Sequence, residues 1–317
     1  DNIDIITGGF PCQDFSIAGK RLAFLSHKSH DGGLLRSYEN PDLENRGELY
    51  MWMREVIGIV KPKIFIAENV RGMKSLPNVV ETIKKDFESI EGEEYLVLNP
   101  KVLHAGKYGV PQSRERIIFI GLKVSALKTK ALSHYRSNIL PDKYDLYPPE
   151  THFIENLNGN GSFFDKVNLQ KFVSPRDAFE DLVEPWKSRD LSHQSRSKAK
   201  YYGNHVQGQI EIKPDDLGPT IRAEHHGNIE FRRLNKKNGG KIEHERGLWQ
   251  RRLTLRECAI LQTFPQSYNF VINKPNYKVS ISQGYRLVGN AVPPILAYNI
   301  AMRIQELWST IFSKEKS

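Results

Sequence analysis

The chain opens on a short apolar run that two glycines, Gly8 and Gly9, bring to an end. A run of this kind, closed by a glycine turn, predicts a buried strand of an α/β sheet, here over residues 1–10. Ligand chemistry in such sheets lies just beyond the carboxyl ends of the strands. Cys12 comes directly out of the turn, which is where a nucleophile would be expected.

A strand–helix–strand unit is predicted around this first strand. Apolar side chains recur at helical spacing over residues 46–60, and Pro62 follows them. Residues 64–67 then form a second wholly apolar run, which Glu68 follows. Because a crossover of this length joins parallel strands, Cys12 and Glu68 should emerge at the same edge of one sheet. A thiol and a carboxylate would then share one crevice.

The α/β alternation continues through the first part of the chain and then stops. A helix is predicted at residues 79–90, and strands are predicted at residues 95–98 and 117–120. Over residues 124–250, glycine-containing, proline-containing and basic segments replace the regular pattern. This change of character predicts a second, loop-rich domain.

Regular structure is predicted again near the end of the chain. Thr254 stands three residues before Glu257, the spacing of a capping box, which predicts a helix over residues 254–264. A final amphipathic helix is predicted after Pro293-Pro294. The chain is therefore expected to consist of three segments, the first and last of which belong to one domain: residues 1–123, 124–279 and 280–317.

The composition restricts the partners and the compartment. The chain has 46 lysines and arginines against 37 aspartates and glutamates, a net charge of +9, which suits a polyanion such as nucleic acid. Its two cysteines, Cys12 and Cys258, form no cluster at metal-ligand spacing, so neither a disulfide framework nor a metal site is expected. No apolar run reaches the roughly 20 residues of a membrane span. A cytoplasmic protein without membrane contact is expected.

Five short motifs resemble, in their order along the chain, those of the DNA (cytosine-5) methyltransferases. They are Phe10-Pro-Cys-Gln13, Glu68-Asn-Val70, Gln112-Ser-Arg-Glu-Arg116, Arg252-Leu-Thr-Leu-Arg-Glu257 and Gly289-Asn-Ala-Val292. The unmatched residues 124–250 correspond to the variable target-recognition domain of that family. The resemblance implies a Rossmann-like, S-adenosylmethionine-dependent methyltransferase sheet whose N-terminal strands are missing, with a second, smaller and irregular target-recognition domain.

The resemblance also implies an activity. The enzyme would transfer a methyl group from S-adenosylmethionine to carbon 5 of a flipped cytosine in a specific duplex DNA sequence, as the modification half of a bacterial restriction-modification pair. A thiolate makes the aromatic carbon nucleophilic by adding to the neighbouring ring carbon, and extrusion of the base exposes both atoms. Two other functions stay open: a tRNA cytosine-5 methyltransferase, and a non-catalytic DNA-binding subunit of a split enzyme.

The resemblance assigns catalysis to four side chains. Cys12 forms the covalent adduct, Glu68 hydrogen-bonds or protonates the ring nitrogen, Arg116 contacts the flipped cytosine and Arg114 supports the site. Because alternate residues of a strand point the same way, the two arginines are expected to reach a common target. Structural alternatives stay open, namely a buried apolar cysteine, a solvated glutamate and two solvated arginines. Cys258 lies in a helical stripe and is expected in the core.

Further contacts follow from the same resemblance. The residues implied in binding substrate DNA are Phe10, Gln13, Ser16, Gln112, Thr220 and Arg222. Thr220 leads a turn that anchors the recognition domain in the major groove, and nearby side chains could read base edges or phosphates: Arg222, His225, His226, Arg232 and Arg233. The residues implied in binding the methyl donor are Pro11, Leu49, Asn290 and Val292. Gly289-Asn290 is expected to open the last helix.

One family segment is not found in the sequence. The donor-binding turn, Phe-x-Gly-x-Gly followed by an acidic residue after the next strand, normally precedes the Pro-Cys-Gln motif. The sequence therefore predicts that this chain alone binds S-adenosylmethionine poorly and methylates little. A truncated record, or a split enzyme whose first motifs lie on a separate N-terminal subunit, would explain it.

Overall fold

The computed structural model describes residues 3–10, 49–76, 78–137, 139–154, 168–203, 205, 207–223, 229–274 and 277–313. The chain divides into two compact units. The first consists of Asp1–Leu103, Glu115–Pro148 and Ile300–Ser317, and the second of His104–Arg114 and Pro149–Asn299. These boundaries differ from those of the three predicted segments. Residues 104–114 belong to the second unit, residues 124–148 belong to the first, and residues 280–299, which were predicted to return to the first domain, belong to the second.

A mixed sheet forms the centre of the first unit. Among the described residues its strands are β1 (Ile5–Gly9), β2 (Ile64–Val70), β3 (Tyr95–Val97), β4 (Lys101–His104) and β5 (Glu115–Lys123). β1 pairs in parallel with β2, both β2 and β3 pair antiparallel with β5, and β4 also pairs with β5. The predicted parallel pairing of the first two strands is confirmed.

Helices accompany this sheet: α1 (Tyr50–Val60), α2 (Val79–Glu88) and α3 (Thr129–Tyr135). The residue after α1, Lys61, takes the left-handed conformation with φ 52°, and Pro62 follows, so the helix ends where the sequence predicts. The predicted apolar stripe of α1 is only partly right. Ile57 is buried, whereas Val56 is exposed.

The core of the first unit lies between α2 and the sheet. The side chains of α2 that are buried have the predicted spacing: Val79, Ile83 and Phe87. Phe87 packs against Phe65 of β2 with ring centroids 5.1 Å apart. The ring of Phe65 lies across Gly121 of β5, where an added Cβ would come within 2.0 Å of it. Since truncating such a ring to alanine costs about 3–5 kcal/mol, this packing holds β2 and β5 in register.

The second unit contains less regular structure. Its strands pair two by two: β6 (His152–Phe153) with β7 (Gln170–Lys171), β8 (Phe231–Arg233) with β9 (Arg251–Arg252), and β10 (Ile272–Lys274) with β11 (Tyr277–Val279). Two single-turn helices are α4 (Pro175–Ala178) and α5 (Leu191–Gln194). This irregularity agrees with the loop-rich character that the sequence predicts for much of this region.

Helix α6 (Leu255–Leu261) begins at the predicted capping box. The Thr254 hydroxyl accepts from the Glu257 amide at 3.1 Å, and the Glu257 carboxylate accepts from the Thr254 amide at 2.8 Å. The helix ends three residues earlier than predicted, at a turn in which Thr263 has a φ of 66°. Cys258 is buried in this helix, as expected of a core residue.

Two helices follow, α7 (Ile281–Asn290) and α8 (Pro294–Ile311). α8 begins at the predicted proline, and the predicted stripe is buried: Leu296, Ile300, Ile304, Leu307 and Ile311. The prediction that Gly289-Asn290 opens this helix is wrong. Both residues form the end of α7, a helix that Ser280 caps and that the sequence analysis did not identify.

Within the described parts of the chain, no helix combines the length and apolarity needed to cross a membrane. The same residues contain no group of three or more histidines, cysteines and carboxylates arranged to hold a metal ion. The cytoplasmic location stays a prediction.

Candidate functional site

The carboxyl ends of β1 and β2 lie side by side in the first unit. Gly9 is the register partner of Glu68, and a Cβ on Gly9 would lie 3.2 Å from Oε2 of Glu68. The Glu68 carboxylate therefore projects over the end of β1 at Gly9. Cys12 follows Gly9 by three positions in the chain. Four predicted site residues lie outside the described residues, and their roles stay predictions: Pro11, Cys12, Gln13 and Ser16.

Glu68 forms an ion pair with Arg116 of β5. Nε of Arg116 lies 2.6 Å from Oε1 of Glu68, and the two side chains are only 12% and 15% exposed. Val70, at the end of β2, is the register partner of Arg116, so the guanidinium belongs to the same edge of the sheet. An acceptor and several donors are thus held together at this edge, an arrangement that complements the ring nitrogen and the exocyclic groups of a pyrimidine.

Asn69 ties the two strands together beyond their last paired residues. Its Nδ2 donates to the carbonyl of Phe10 at 3.1 Å, and its Oδ1 accepts from the amide of Val70 at 2.8 Å. Because Asn69 is buried, these bonds do not compete with bulk water. Asn69 is the middle residue of the Glu-Asn-Val motif, and the motif alone predicted no role for its side chain. We call four residues the strand-edge cluster: Gly9, Glu68, Asn69 and Arg116.

Two residues predicted to contact DNA, Phe10 and Gln112, have buried side chains. The Phe10 ring packs in the core of the first unit, with its centroid 6.0 Å from that of Tyr50. The Gln112 side chain is fully buried in the second unit. Its Nε2 donates to Gln262 at 2.6 Å, and its Oε1 accepts from the amide of Ile221 at 3.0 Å. Both side chains are therefore engaged in the protein interior, and their contact with DNA stays a prediction.

Strand alternation predicts a common target for Arg114 and Arg116, but their partners among the described residues differ. Arg114 precedes the first residue of β5 and is buried. Its NH1 donates to the carbonyl of Ile221 at 2.9 Å, and its NH2 donates to the carbonyls of Gly289 at 2.8 Å and Ala291 at 3.0 Å. Arg114 therefore binds main-chain atoms of the second unit, whereas Arg116 pairs with Glu68. A supporting role for Arg114 stays a prediction.

The main chain around the predicted recognition turn is held from several sides. The amide and carbonyl of Ile221 bond to buried side chains, as described above, and the Thr220 hydroxyl donates to the carbonyl of Ser113. A Cβ on Gly289 would lie 2.2 Å from the carbonyl carbon of Arg222, so only glycine permits this approach. We call this arrangement the backbone clamp, and its members are Gln112, Ser113, Arg114 and Gly289.

The predicted donor contacts within the described residues belong to both units. Leu49 is half-buried and precedes α1 in the first unit. In the second unit, Asn290 is exposed at the end of α7, and Val292 is half-buried in the connection to α8. Their contact with a donor stays a prediction.

Arg232 and Arg233, which were expected to be available to DNA, are engaged inside the second unit. Arg233 is buried and binds the Glu184 carboxylate through two bonds of 2.8 Å and Glu245 through one of 2.6 Å. Arg232 pairs with Glu245 as well. A contact of these two side chains with DNA stays a prediction. Residues 224–228, which include both candidate histidines, lie outside the described residues.

The same ionic network continues to the capping box of α6. Arg251 binds the Glu257 carboxylate through two bonds of 2.7 and 2.9 Å, and both side chains are buried. Burial by itself would raise the pKa of Glu257, but the charge and hydrogen bonds of Arg251 outweigh it and lower that pKa to about 2. The motif from Arg252 to Glu257 thus contributes to the interior of the second unit.

A family model described as C-5 cytosine-specific DNA methylase matches residues 1–306. The chain belongs to this family. It is 30% identical to the Type II methyltransferase M.FnuDI of Fusobacterium nucleatum, over 99% of this chain and 78% of that protein. It is 29% identical to the Type II methyltransferase M.PspPI of Psychrobacter sp. (strain TA137), over 95% of this chain and 64% of that protein. Across eight such relatives, the chain spans between 58% and 78% of their lengths.

Solved structures resemble the chain in fold. The crystal structure of S. pombe Dnmt2 methyltransferase matches with a TM-score of 0.51 at 17% identity, covering 95% of this chain and 77% of that one. The fold class is therefore that of an α/β methyltransferase with a mixed sheet. The comparisons do not confirm that N-terminal strands or a donor-binding motif are missing.

Proposed function

We propose that this protein transfers a methyl group from S-adenosylmethionine to carbon 5 of a flipped cytosine in a specific sequence of duplex DNA. Family membership supports the class of reaction. The observation that carries the assignment of roles is the position of Glu68, whose carboxylate projects over Gly9 and pairs with Arg116. Cys12 follows Gly9 by three residues, so a thiol would leave the same sheet edge.

The proposed chemistry begins with the thiolate of Cys12. Its sulfur forms a bond to carbon 6 of the cytosine, and the electron pair of the double bond between carbons 5 and 6 moves onto carbon 5 and into the ring. Carbon 5 then takes the methyl group. Loss of the proton from carbon 5 to water restores the double bond as the carbon–sulfur bond breaks and the thiolate leaves.

Glu68 and Arg116 stabilise the ring while it carries the added electrons. In its protonated form the Glu68 carboxyl group donates a hydrogen bond to the ring nitrogen, which takes up electron density when the thiolate adds, and it takes the proton back when the thiolate leaves. The guanidinium can donate to the neighbouring carbonyl oxygen of the cytosine. Since the Arg116 side chain is only 12% exposed, its positive charge acts on the electron-rich ring with little screening by water.

Three described residues are the proposed contacts of the methyl donor. Leu49 offers an apolar side chain in the first unit, and Asn290 and Val292 offer an amide and an apolar side chain in the second. Each of these side chains by itself suits the flank of a donor, but none of them provides the charged contacts that its amino-acid part requires. S-adenosylmethionine supplies the methyl group when it is bound, and we derive no step through it.

The second unit is proposed as the target-recognition part of the enzyme. It contains the Thr220 turn, and its irregular segments are typical of a surface that adapts to one base sequence. The overall charge of +9 favours association with a polyanion. Duplex DNA is therefore the proposed partner.

Hydrogen exchange at carbon 5 of cytosine tests the thiol chemistry without a methyl donor. The adduct can take up a proton from solvent at carbon 5 and then revert, so a duplex incubated in D₂O with the protein gains deuterium there, measured by mass spectrometry of its nucleosides. Cys12→Ser should abolish this exchange. Cys258→Ser is the matched control, because burial raises the pKa of the Cys258 thiol and keeps it unreactive.

The outcomes separate the alternatives. Exchange by Cys12→Ser equal to that of the unmodified chain would disprove the assigned nucleophile. Exchange in tRNA but in no duplex DNA would favour the tRNA function. Calorimetric titration with S-adenosylmethionine measures donor binding separately, and transfer of a labelled methyl group to duplex DNA measures the complete reaction.

A further inference from the structure

Arg222 extends from a segment whose main chain is held by the backbone clamp. The preceding residue is bonded at both its amide and its carbonyl, and Gly289 packs directly against the Arg222 main chain. Holding the Cα of a side chain fixed removes much of the entropy cost of placing its far end. Because the main chain of Arg222 is fixed, few further contacts are needed to orient its guanidinium.

Two neighbours then orient the guanidinium. NH2 of Arg222 lies 3.0 Å from Oε1 of Glu230. The amide oxygen of Gln207, when the amide is oriented to suit its neighbours, accepts from Nε and NH1 of Arg222 at 3.1 and 3.0 Å. Among the described residues these contacts engage three of the five N–H donors that a guanidinium has. Two donors are left for a ligand.

The burial of the pair is asymmetric. The Glu230 side chain is only 6% exposed, whereas that of Arg222 is 26% exposed. The neighbouring Arg232 and Arg233 are 13% and 3% exposed and are paired with carboxylates. Of these three arginines, Arg222 therefore has the most exposed side chain. A pair that served packing alone would not need to leave its cation at the surface.

We propose that Arg222 reads a guanine in the major groove of the target duplex and that Glu230 is the residue that positions it. This inference rests on the proposed function in duplex DNA. Arginine gives two parallel hydrogen bonds to O6 and N7 of guanine, which no other base offers in the major groove. A contact with phosphate would depend on the net charge of the guanidinium, and Glu230 partly cancels that charge. A contact with a base edge depends on the orientation of the guanidinium, and Glu230 and Gln207 fix that orientation.

The experiment first finds the preferred sequence by selecting bound molecules from a random pool of duplex DNA. Affinity is then measured by fluorescence anisotropy for the selected duplex and for duplexes in which one guanine at a time is replaced by 7-deazaguanine, which lacks the N7 acceptor. The unmodified chain should lose at least about ten-fold in affinity at one guanine, in the range of one base-reading contact. Arg222→Ala should bind both forms of that duplex equally.

Glu230→Gln tests positioning. It should reduce the 7-deazaguanine penalty at that one guanine at least three-fold, while binding to unrelated duplex stays the same or tightens, because one negative charge is lost. A variant that merely loosened the fold would weaken both kinds of binding. Glu211→Gln is the matched control: its carboxylate accepts main-chain amides of Leu234 and Lys241 in the same unit and does not contact Arg222, so its penalty should be unchanged.

Two more conservative variants test the same contacts in case Arg222→Ala or Glu230→Gln fails to fold, and circular dichroism monitors the folding of every variant. Arg222→Lys keeps the positive charge beside Glu230 but cannot give two parallel hydrogen bonds. Its affinity should therefore no longer fall when the guanine is replaced by 7-deazaguanine. Glu230→Asp keeps the charge but shortens its reach, and it should reduce the penalty. Unchanged penalties in the Arg222 variants would overturn the guanine contact, and unchanged penalties in the Glu230 variants would overturn positioning. A selected duplex that binds but shows neither exchange nor methylation would instead refute the proposed function.

Discussion

Asn69 donates a 3.1 Å hydrogen bond to the carbonyl of Phe10, two positions before Cys12. The bond lies one residue beyond the last register pair of β1 and β2, where the chain leaves the sheet. It therefore determines the direction in which the segment bearing the proposed nucleophile begins. The conformation of that exit should influence the rate of the thiol chemistry.

Asn69→Ala should destabilise the protein and slow carbon-5 exchange. Removing a buried donor leaves the Phe10 carbonyl unsatisfied, at a cost of about 1–3 kcal/mol, measured by urea unfolding. The control is Asn99→Ala, because Asn99 is exposed and accepts only a 3.4 Å bond from Lys84. Equal unfolding midpoints and exchange rates for Asn69→Ala and the unmodified chain would rule out this role.

Glu68→Gln should slow carbon-5 exchange by about 100-fold or more, as expected on losing a general acid–base group. Arg116→Ala should slow it too, and the double variant should be less impaired than the product of the two single effects, because both groups act on one ring. Arg71→Ala is the control, since Arg71 forms a more exposed pair with Glu115 nearby. Strictly multiplicative effects would argue against a joint role.

Gly289→Ala should destabilise the second unit by about 3 kcal/mol, the cost of overpacking where the facing atoms are main chain. The added Cβ would stand 2.2 Å from the carbonyl carbon of Arg222. Gly58→Ala in α1 is the comparison, because its Cβ would meet only Ile90 at an ordinary 3.4 Å. That substitution should be neutral or stabilise by about 0.5–1 kcal/mol. Thermal unfolding followed by circular dichroism measures both, and similar melting temperatures would contradict the clamp.

Glu257 should make the free energy of unfolding depend on acid pH. Its pKa is lowered from 4.5 to about 2 in the folded chain, so its contribution is present above pH 4.5 and is lost as the pH falls towards 2. Urea unfolding from pH 6 down to pH 2.5 should show this decline, and Glu257→Gln should flatten it. Glu243→Gln should leave the slope nearly unchanged, because its pair with Arg246 is exposed. A slope unaffected by Glu257→Gln would refute the assignment.

Local pattern was sufficient for several elements of the fold. The capping box of Thr254 and Glu257 and the buried stripe of α8 depend on residues three or four positions apart, which a sequence displays directly. The parallel pairing of β1 and β2 follows from the crossover between them. The strand edge bearing Glu68 could therefore be predicted from the sequence.

Long-range contacts are the part of the structure that the sequence did not reveal. Arg114 finds its carbonyl partners 107 and 175 positions away, and Gln112 finds its partner amide 109 positions away. A motif indicates that a residue type is needed, but it does not indicate whether the side chain faces a ligand or the interior. The same holds for Gly289, whose motif does not reveal why glycine is needed. The residue must be small because the main chain of Arg222 lies against it, and not because it forms a turn.

The backbone clamp meets residue 222 through main-chain atoms, and it does not use that residue's side chain. A different amino acid at this position would keep the same loop path while presenting different chemistry to the duplex. Sequence preference and structural integrity are then separable properties of this segment. Related enzymes could diverge in the DNA they modify through single substitutions here, without first passing through a poorly folded form.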